Sequence, residues 1–281
     1  MGLDQIKLKK VLKVYIINVT SISFLYVKMT TIKNEGTTEK VLKTVHKCKP
    51  TCVKSSEYIE LLKLIDEPTN YNKIMDEAAS AGYIDIVELM LEKGANDYNL
   101  AMNSAAECSG DIDIVKLMLE KGADDYNWTM SYAACGGYID IVKLMLEKGA
   151  DDYDAAMSFA TLGGHMDLVK LMLEKGATNY NEAMRLAASY GHMDIVKLML
   201  EKGATDYNQA MKFAASGGHI DIVKLMLEKG ANSYKLALES TSKIWHKDII
   251  NLLNTHQKNK LGATKKTQNK SHPKDKDSIK D

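Results

Sequence analysis

Apolar and polar positions repeat at long range before any single motif stands out. The run Gly217-Gly-His-Ile-Asp-Ile-Val-Lys-Leu-Met-Leu-Glu-Lys-Gly-Ala231 returns in near-copies whose closing glycines are Gly94, Gly122, Gly149, Gly176, Gly203 and Gly230. The step is 27 residues, with one interval of 28 around Glu107 and Cys108, and the tyrosines at 71, 98, 126, 153, 180, 207 and 234 keep it. Each unit predicts two helices. The first is an Ala- and Met-rich run preceded by Asn72, Asn99, Asn127, Asp154, Asn181 or Asn208, whose side-chain acceptors suit an N-cap. Pairs such as Ala133-Ala134 and Ala214-Ala215 strip bulk where another helix must approach. A glycine (Gly82, Gly110, Gly137, Gly164, Gly191, Gly218) then turns the chain. The second helix carries Asp85, Asp113, Asp140, Asp167, Asp194 or Asp221 in its first turn and a lysine in its last, both suited to the helix dipole. Its middle, as in Ile222-Val-Lys-Leu-Met-Leu227, is apolar on all but one side, so neighbours must cover it. A period between 20 and 50 residues marks stacked supersecondary units. The predicted fold is therefore an all-α solenoid, with an array over residues 71–257.

The ends follow from the same pattern. Residues 56–70 read as half a unit, a capping helix that stops at Pro68, while residues 1–55 read as a poorly ordered basic arm. Seven units are expected. The last is a degenerate cap in which Trp245 replaces the glycine and Asn251 and Asn254 face outward. Residues 258–281 are Lys-rich without a core and predict a disordered tail.

Charge sharpens this division. The segments 1–55, 56–257 and 258–281 carry +8, −13 and +5, which cancel to a formal net charge of zero. An acidic body argues against phosphate binding by the array. The apolar stretch Val11–Val27 behind Lys7, Lys9, Lys10 and Lys13 imitates a secretory leader, but Asn18 breaks it and no clean cleavage site follows. It is too short and too polar for a membrane span. A start of translation at Met29 is the other reading of this stretch. Cysteines 48, 52, 108 and 135 do not form a disulfide framework, so a reducing, cytoplasmic setting fits.

The stretch Ala214-Ala-Ser-Gly-Gly-His-Ile-Asp-Ile-Val-Lys-Leu-Met-Leu-Glu-Lys-Gly-Ala231 resembles the second half of an ankyrin repeat, and the resemblance covers residues 71 to about 256. Ankyrin units usually run 33 residues, with a Thr-Pro-Leu-His start and a β-turn finger. Here Asn208-Gln-Ala-Met-Lys212 stands at that start and about six residues are missing, so the fingers are expected to be stubs. Short units of this composition are similar to ankyrin arrays encoded by large DNA viruses that infect amoebae. The resemblance implies a protein-binding scaffold whose first helices line the contact face.

Chemistry finds little purchase. No phosphate loop, activated serine or His-Glu-x-x-His motif is present, and no enzyme activity or cofactor is expected. His165, His192, His219 and His246 recur near the turn. Stacked helices sit about 8–10 Å apart, too far for such a set to converge on one zinc ion, and a turn histidine bonded to nearby backbone is the simpler reading. His46, Cys48 and Cys52 offer three soft ligands without an evident fourth. The methionines, at fixed places in both helices, read as core filler.

Variation between units is the remaining signal. The framework hardly changes, whereas positions three to four residues apart on the first helix do: Lys73, Asp76 and Ser80; Leu100, Asn103 and Glu107; Trp128, Ser131 and Cys135; Ala155, Ser158 and Leu162; Glu182, Arg185 and Ser189; Gln209, Lys212 and Ser216. This stripe is the expected surface for an unidentified protein partner, with no small-molecule substrate, no nucleic-acid or membrane contact, and a monomeric chain. Two alternatives stay open: a metal-dependent or enzymatic module in the N-terminal arm, and tethering to nucleic acid or membrane by the two basic ends.

Overall fold

The computed structural model describes residues 71–241 and 246–270. The basic arm, the capping segment 56–70, the His46-Cys48-Cys52 cluster and Trp245 lie outside the described residues. Fourteen α-helices and no strand are found among the described residues, and they pair off unit by unit. The pairs are α1 (Tyr71–Ala81) with α2 (Ile84–Glu92), α3 (Tyr98–Ser104) with α4 (Ile112–Lys121), α5 (Tyr126–Gly136) with α6 (Ile139–Glu147), and α7 (Tyr153–Gly163) with α8 (Met166–Lys175). They continue as α9 (Tyr180–Tyr190) with α10 (Met193–Glu201), α11 (Tyr207–Gly217) with α12 (Ile220–Glu228), and α13 (Tyr234–Ser240) with α14 (Lys247–Lys270). This is an all-α repeat solenoid. Short connections without strands stand where longer repeats carry fingers.

One feature of the spacing has a local cause. The 28-residue interval appears in the structure as a π-turn over Ala105–Ser109 at the end of α3, closed by Gly110 N–H to Ala105 C=O at 2.8 Å. The extra residue is absorbed within that turn, so the following unit resumes its place in the stack.

The core is a continuous seam. Met75, Met102, Met130, Met157, Met184 and Met211 of the first helices are fully buried, as are Met118, Met145, Met172, Met199 and Met226 of the second. Each such side chain contributes roughly 1.5–3 kcal/mol relative to leaving it in water. The Ala-Ala pairs are buried where first helices of successive units pack closely together, and in α7 the second alanine is replaced by Thr161, whose hydroxyl turns back to Met157 C=O at 2.8 Å. Second helices touch one another more sparingly. Their Leu117, Leu144, Leu171, Leu198 and Leu225 therefore stay half-buried rather than fully covered.

Two expectations need correction. The first helices begin at the tyrosine, one residue before the recurring Asn or Asp, so that residue is not the N-cap. The cap position falls to Asp97, Asp152 and Asp206, which accept the Leu100, Ala155 and Gln209 N–H groups. At the other end, α14 runs on to Lys270, past residue 257 where the sequence reading began a disordered tail. Lys, Gln, Ala and Leu in that stretch are adequate helix formers, and no proline intervenes before Pro273.

Candidate functional site

Inter-unit bonds fix how the first helices stand beside one another, and the recurring Asn supplies the most regular of them. Asn72 Oδ1 accepts the Asn96 and Asp97 N–H groups at 2.7 and 3.1 Å. Asn99 does the same for Asp124 and Asp125, Asn127 for Asp151 and Asp152, Asp154 for Thr178 and Asn179, Asn181 for Thr205 and Asp206, and Asn208 for Asn232 and Ser233. One side chain thus satisfies two backbone donors of the connection that follows, and each first helix is tied to the next.

A second set of bonds works at the opposite end of the helix. His165 Nε2 donates to Cys135 C=O at 2.9 Å and His219 Nε2 to Ser189 C=O at 3.0 Å, with His192 approaching Leu162 C=O at 3.4 Å. The carbonyls belong to the preceding unit, two residues before its turn glycine. Donation from Nε2 requires the proton on that nitrogen. Tyr138 makes the same reach with its hydroxyl, to Cys108 C=O at 3.0 Å. Asp111, which cannot donate when ionised, occupies the place in the second unit; there Ser109 Oγ donates to Ala79 C=O at 2.9 Å instead. No group of three or more His, Cys, Asp or Glu placed to hold a metal is found among the described residues.

On this frame the stripe residues divide. Lys73, Leu100 and Trp128 are exposed at the third place of α1, α3 and α5, with Leu100 at 43 % and Trp128 at 54 %. Glu182 and Gln209 hold that place in α9 and α11, half-buried, as Ala155 does in α7. Asp76 and Asn103 are turned inward along the stack. Asp76 accepts the Ser104 hydroxyl, and Asn103 accepts Thr129 Oγ1 at 2.6 Å while donating to Asp125 Oδ2 at 3.1 Å. Ser158 is half-buried with its hydroxyl on Asp154 C=O, and Leu162 is half-buried. Ser131 is a correction: it is 1 % exposed, its short side chain folded back onto Asn127 C=O at 3.0 Å, so it lines the helix packing and not a surface.

Aromatic residues that the stripe omitted complete the face. Tyr132 and Phe159, at the seventh place of α5 and α7, lie 5.8 Å apart edge to face; Trp128 stacks on Tyr132 at 5.9 Å and meets Phe159 edge-on at 6.4 Å. Phe213, at the same place of α11, lies under two cations, with Arg185 Cζ 4.6 Å and Lys212 Nζ 5.1 Å from its ring centre. The sequence carried the signal, because Tyr132, Phe159 and Phe213 share one register four residues after the variable third place.

Electrostatics along the face are local. Arg185 forks onto Glu182, with Nε donating to Oε2 at 2.7 Å and a second bond from Nη2 to Oε1. The hydrogen bond from Arg185 holds the Glu182 carboxyl below its ordinary range despite partial burial, and the same bond raises the guanidinium. Burial pushes the Cys135 thiol up, helped by the nearby Glu107 carboxylate, so this free thiol is not activated. No helix among the described residues is long and apolar enough to cross a membrane.

The family model described as Ankyrin repeats (3 copies) matches residues 75–155, 130–211 and 156–237, which together span more than half of the chain. No curated protein matches it.

Proposed function

The chain belongs to the ankyrin-repeat family, and from that premise we propose that it is a non-catalytic scaffold holding a partner protein across the face of its first helices. Ankyrin repeats are in general protein–protein interaction modules. The observation that carries the reading here is Trp128, an indole 54 % exposed on a platform formed with Tyr132 and Phe159, with the exposed Leu100 at the same place of the preceding first helix. Exposed aromatic side chains on a rigid backbone are the usual anchors of an interface, because they bring large contact area at little entropic cost. The Arg185–Phe213–Lys212 group extends the face with cations whose charged ends already lie over one ring.

The reading includes a monomeric chain, no small-molecule substrate, and no nucleic-acid or membrane contact by the array, whose acidic segment 56–257 repels phosphate. Cytoplasmic placement, in a host cell if a large DNA virus of amoebae encodes the chain, belongs to it too, and is supported by the free Cys108 and Cys135 and by the short units. The test is affinity purification with the full chain and with Trp128→Ala/Arg185→Glu. Loss of the recovered partner from the double variant is expected, and recovery of every partner unchanged rejects the proposal.

A further inference from the structure

We infer that the segment held by this face is basic, an apolar or aromatic anchor flanked by lysine or arginine. The inference rests on the docking role proposed above and adds the chemistry of the occupant. It comes from the connections between units, which vary in step with the face. Before α5 the two residues fastened by the preceding Asn are Asp124 and Asp125, and after α6 they are Asp151 and Asp152. Beside the Arg185 and Lys212 units the same places read Thr178-Asn179 and Thr205-Asp206, and at the last junction Asn232-Ser233. Paired carboxylates therefore bracket the unit that carries Trp128 and no other.

Their placement is fixed. Asp125 is the residue before α5, three positions from Trp128, and Asp151 and Asp152 are held through Asn127, the neighbour of Trp128 in the chain. Hydrogen bonds use only part of their capacity: Asp124 accepts Asn99 Nδ2 at 3.0 Å, Asp125 accepts Asn103 Nδ2, Asp151 accepts Asn127 Nδ2 at 3.1 Å, and Asp152 accepts the Ala155 N–H at 3.0 Å. None of the four is in an ion pair with another described residue; such pairs include Lys116 with Asp113, Arg185 with Glu182, Lys224 with Asp221, and Lys235 with Glu239. Asp124, Asp151 and Asp152 are exposed.

Four carboxylates with no ion pair to a described residue thus stand at the starts of α5 and α7, the two helices that carry the aromatic platform. Both features attract cations, the first by charge and the second through the negative face of the rings. An anchor residue on Trp128 and Leu100, with a basic side chain reaching toward each acidic pair, satisfies the whole unit. The cations of the face lie two units before, at Lys73, and two and three units further on, and Arg185 is already bonded to Glu182, so a basic segment over Trp128 meets no opposing guanidinium.

A random peptide display library panned on the full chain tests this. Panning is repeated on Trp128→Ala and on the combined Asp124→Asn/Asp125→Asn/Asp151→Asn/Asp152→Asn variant, in which every accepted hydrogen bond keeps its oxygen. The expected winners carry an apolar anchor with Lys or Arg beside it, depend on Trp128, and bind the four-fold variant about tenfold or more less tightly, with a loss that shrinks at high salt. Trp128-dependent winners that are acidic or uncharged overturn the basic assignment and leave the docking face standing. Winners indifferent to Trp128→Ala, or no winners, overturn both.

Discussion

Asn127 of one unit fastens Asp151 of the next: its Oδ1 accepts the Asp151 N–H at 2.8 Å while its Nδ2 donates to Asp151 Oδ1 at 3.1 Å. The Asp152 N–H joins the same Oδ1 at 3.0 Å. The Oδ1 part of this contact recurs from Asn72 to Asn208, so the spacing of the first helices, and of the side chains on the proposed docking face, is set by polar bonds at one end as well as by the methionine seam beneath.

Removing that acceptor should loosen one junction without emptying the core. Asn127→Ala leaves two backbone donors to water and is expected to cost about 1–2 kcal/mol, given a net worth near 1 kcal/mol per bond. Asn127→Asp keeps that acceptor, which Asp154 supplies naturally with bonds of 2.7 and 2.8 Å, but sets a second carboxylate oxygen against Asp151 Oδ1 where Nδ2 donated. It should therefore cost about as much as Asn127→Ala and recover part of the loss in high salt. Urea unfolding of the two variants side by side is the check.

The two glycines of a unit are expected to differ in sensitivity. Gly203 has φ +102° with nothing within 4 Å of an added Cβ, so Gly203→Ala carries only the left-handed penalty of about 1–2 kcal/mol. Gly191 has φ +82° and an added Cβ would sit 2.6 Å from His219 Cε1 of the next unit. Gly191→Ala should therefore cost more than Gly203→Ala. Combined with His219→Ala it should be less than additive, by about 0.5 kcal/mol or more in a double-mutant cycle read by urea unfolding.

This contact also shows where sequence reasoning reaches its end. Period, helix pairing and the buried methionines were legible because stacking forces the same residue into the same place each time. The histidines were legible only as turn residues bonded to backbone; that their partners lie one unit back, over a glycine, depends on how units stack. Asn127 was misread as a cap, since a side-chain acceptor near a helix start serves either its own helix or a neighbour, and only geometry separates the two. Ser131 was misplaced on the surface because variability was taken for exposure. Tyr132, Phe159 and Phe213 were left out of the variable stripe although their shared register, one turn after the place of Trp128, was visible.

Acid should selectively weaken the α9 surface. Because the Arg185 hydrogen bond holds the Glu182 carboxyl below its ordinary range, the pair lends stability that is complete above the unfolded value of about 4.3 and is lost as pH falls through the folded value. The stability difference between the natural chain and Glu182→Gln is expected to be positive at pH 7 and to close as pH falls below about 4. With the Glu182 side chain 38 % exposed, screening limits it to about 0.2–1 kcal/mol. A difference that widens in acid contradicts the assignment.

The π-turn predicts which single deletion the array tolerates. Ala105–Ser109 holds one residue more than the other first helices need, and Gly110 N–H reaches Ala105 C=O five positions back to close it. Deleting Cys108 returns the interval from 28 to 27 and leaves the Glu107 carbonyl two residues before the glycine, where the Tyr138 hydroxyl can take it in place of Cys108 C=O. Stability within about 1 kcal/mol of the natural chain is expected, as for a change away from packed or strained sites. Deleting Cys135, the corresponding residue of the regular α5, removes a residue from a helix with none to spare and turns everything after it by about 100°. Trp128, Tyr132 and the buried Met130 stand before that point and the turn glycine Gly137 after it, so the unit cannot keep both in place. That variant should lose more than about 3 kcal/mol. Equal losses from the two deletions in urea unfolding would show that the extra residue is not held in the turn.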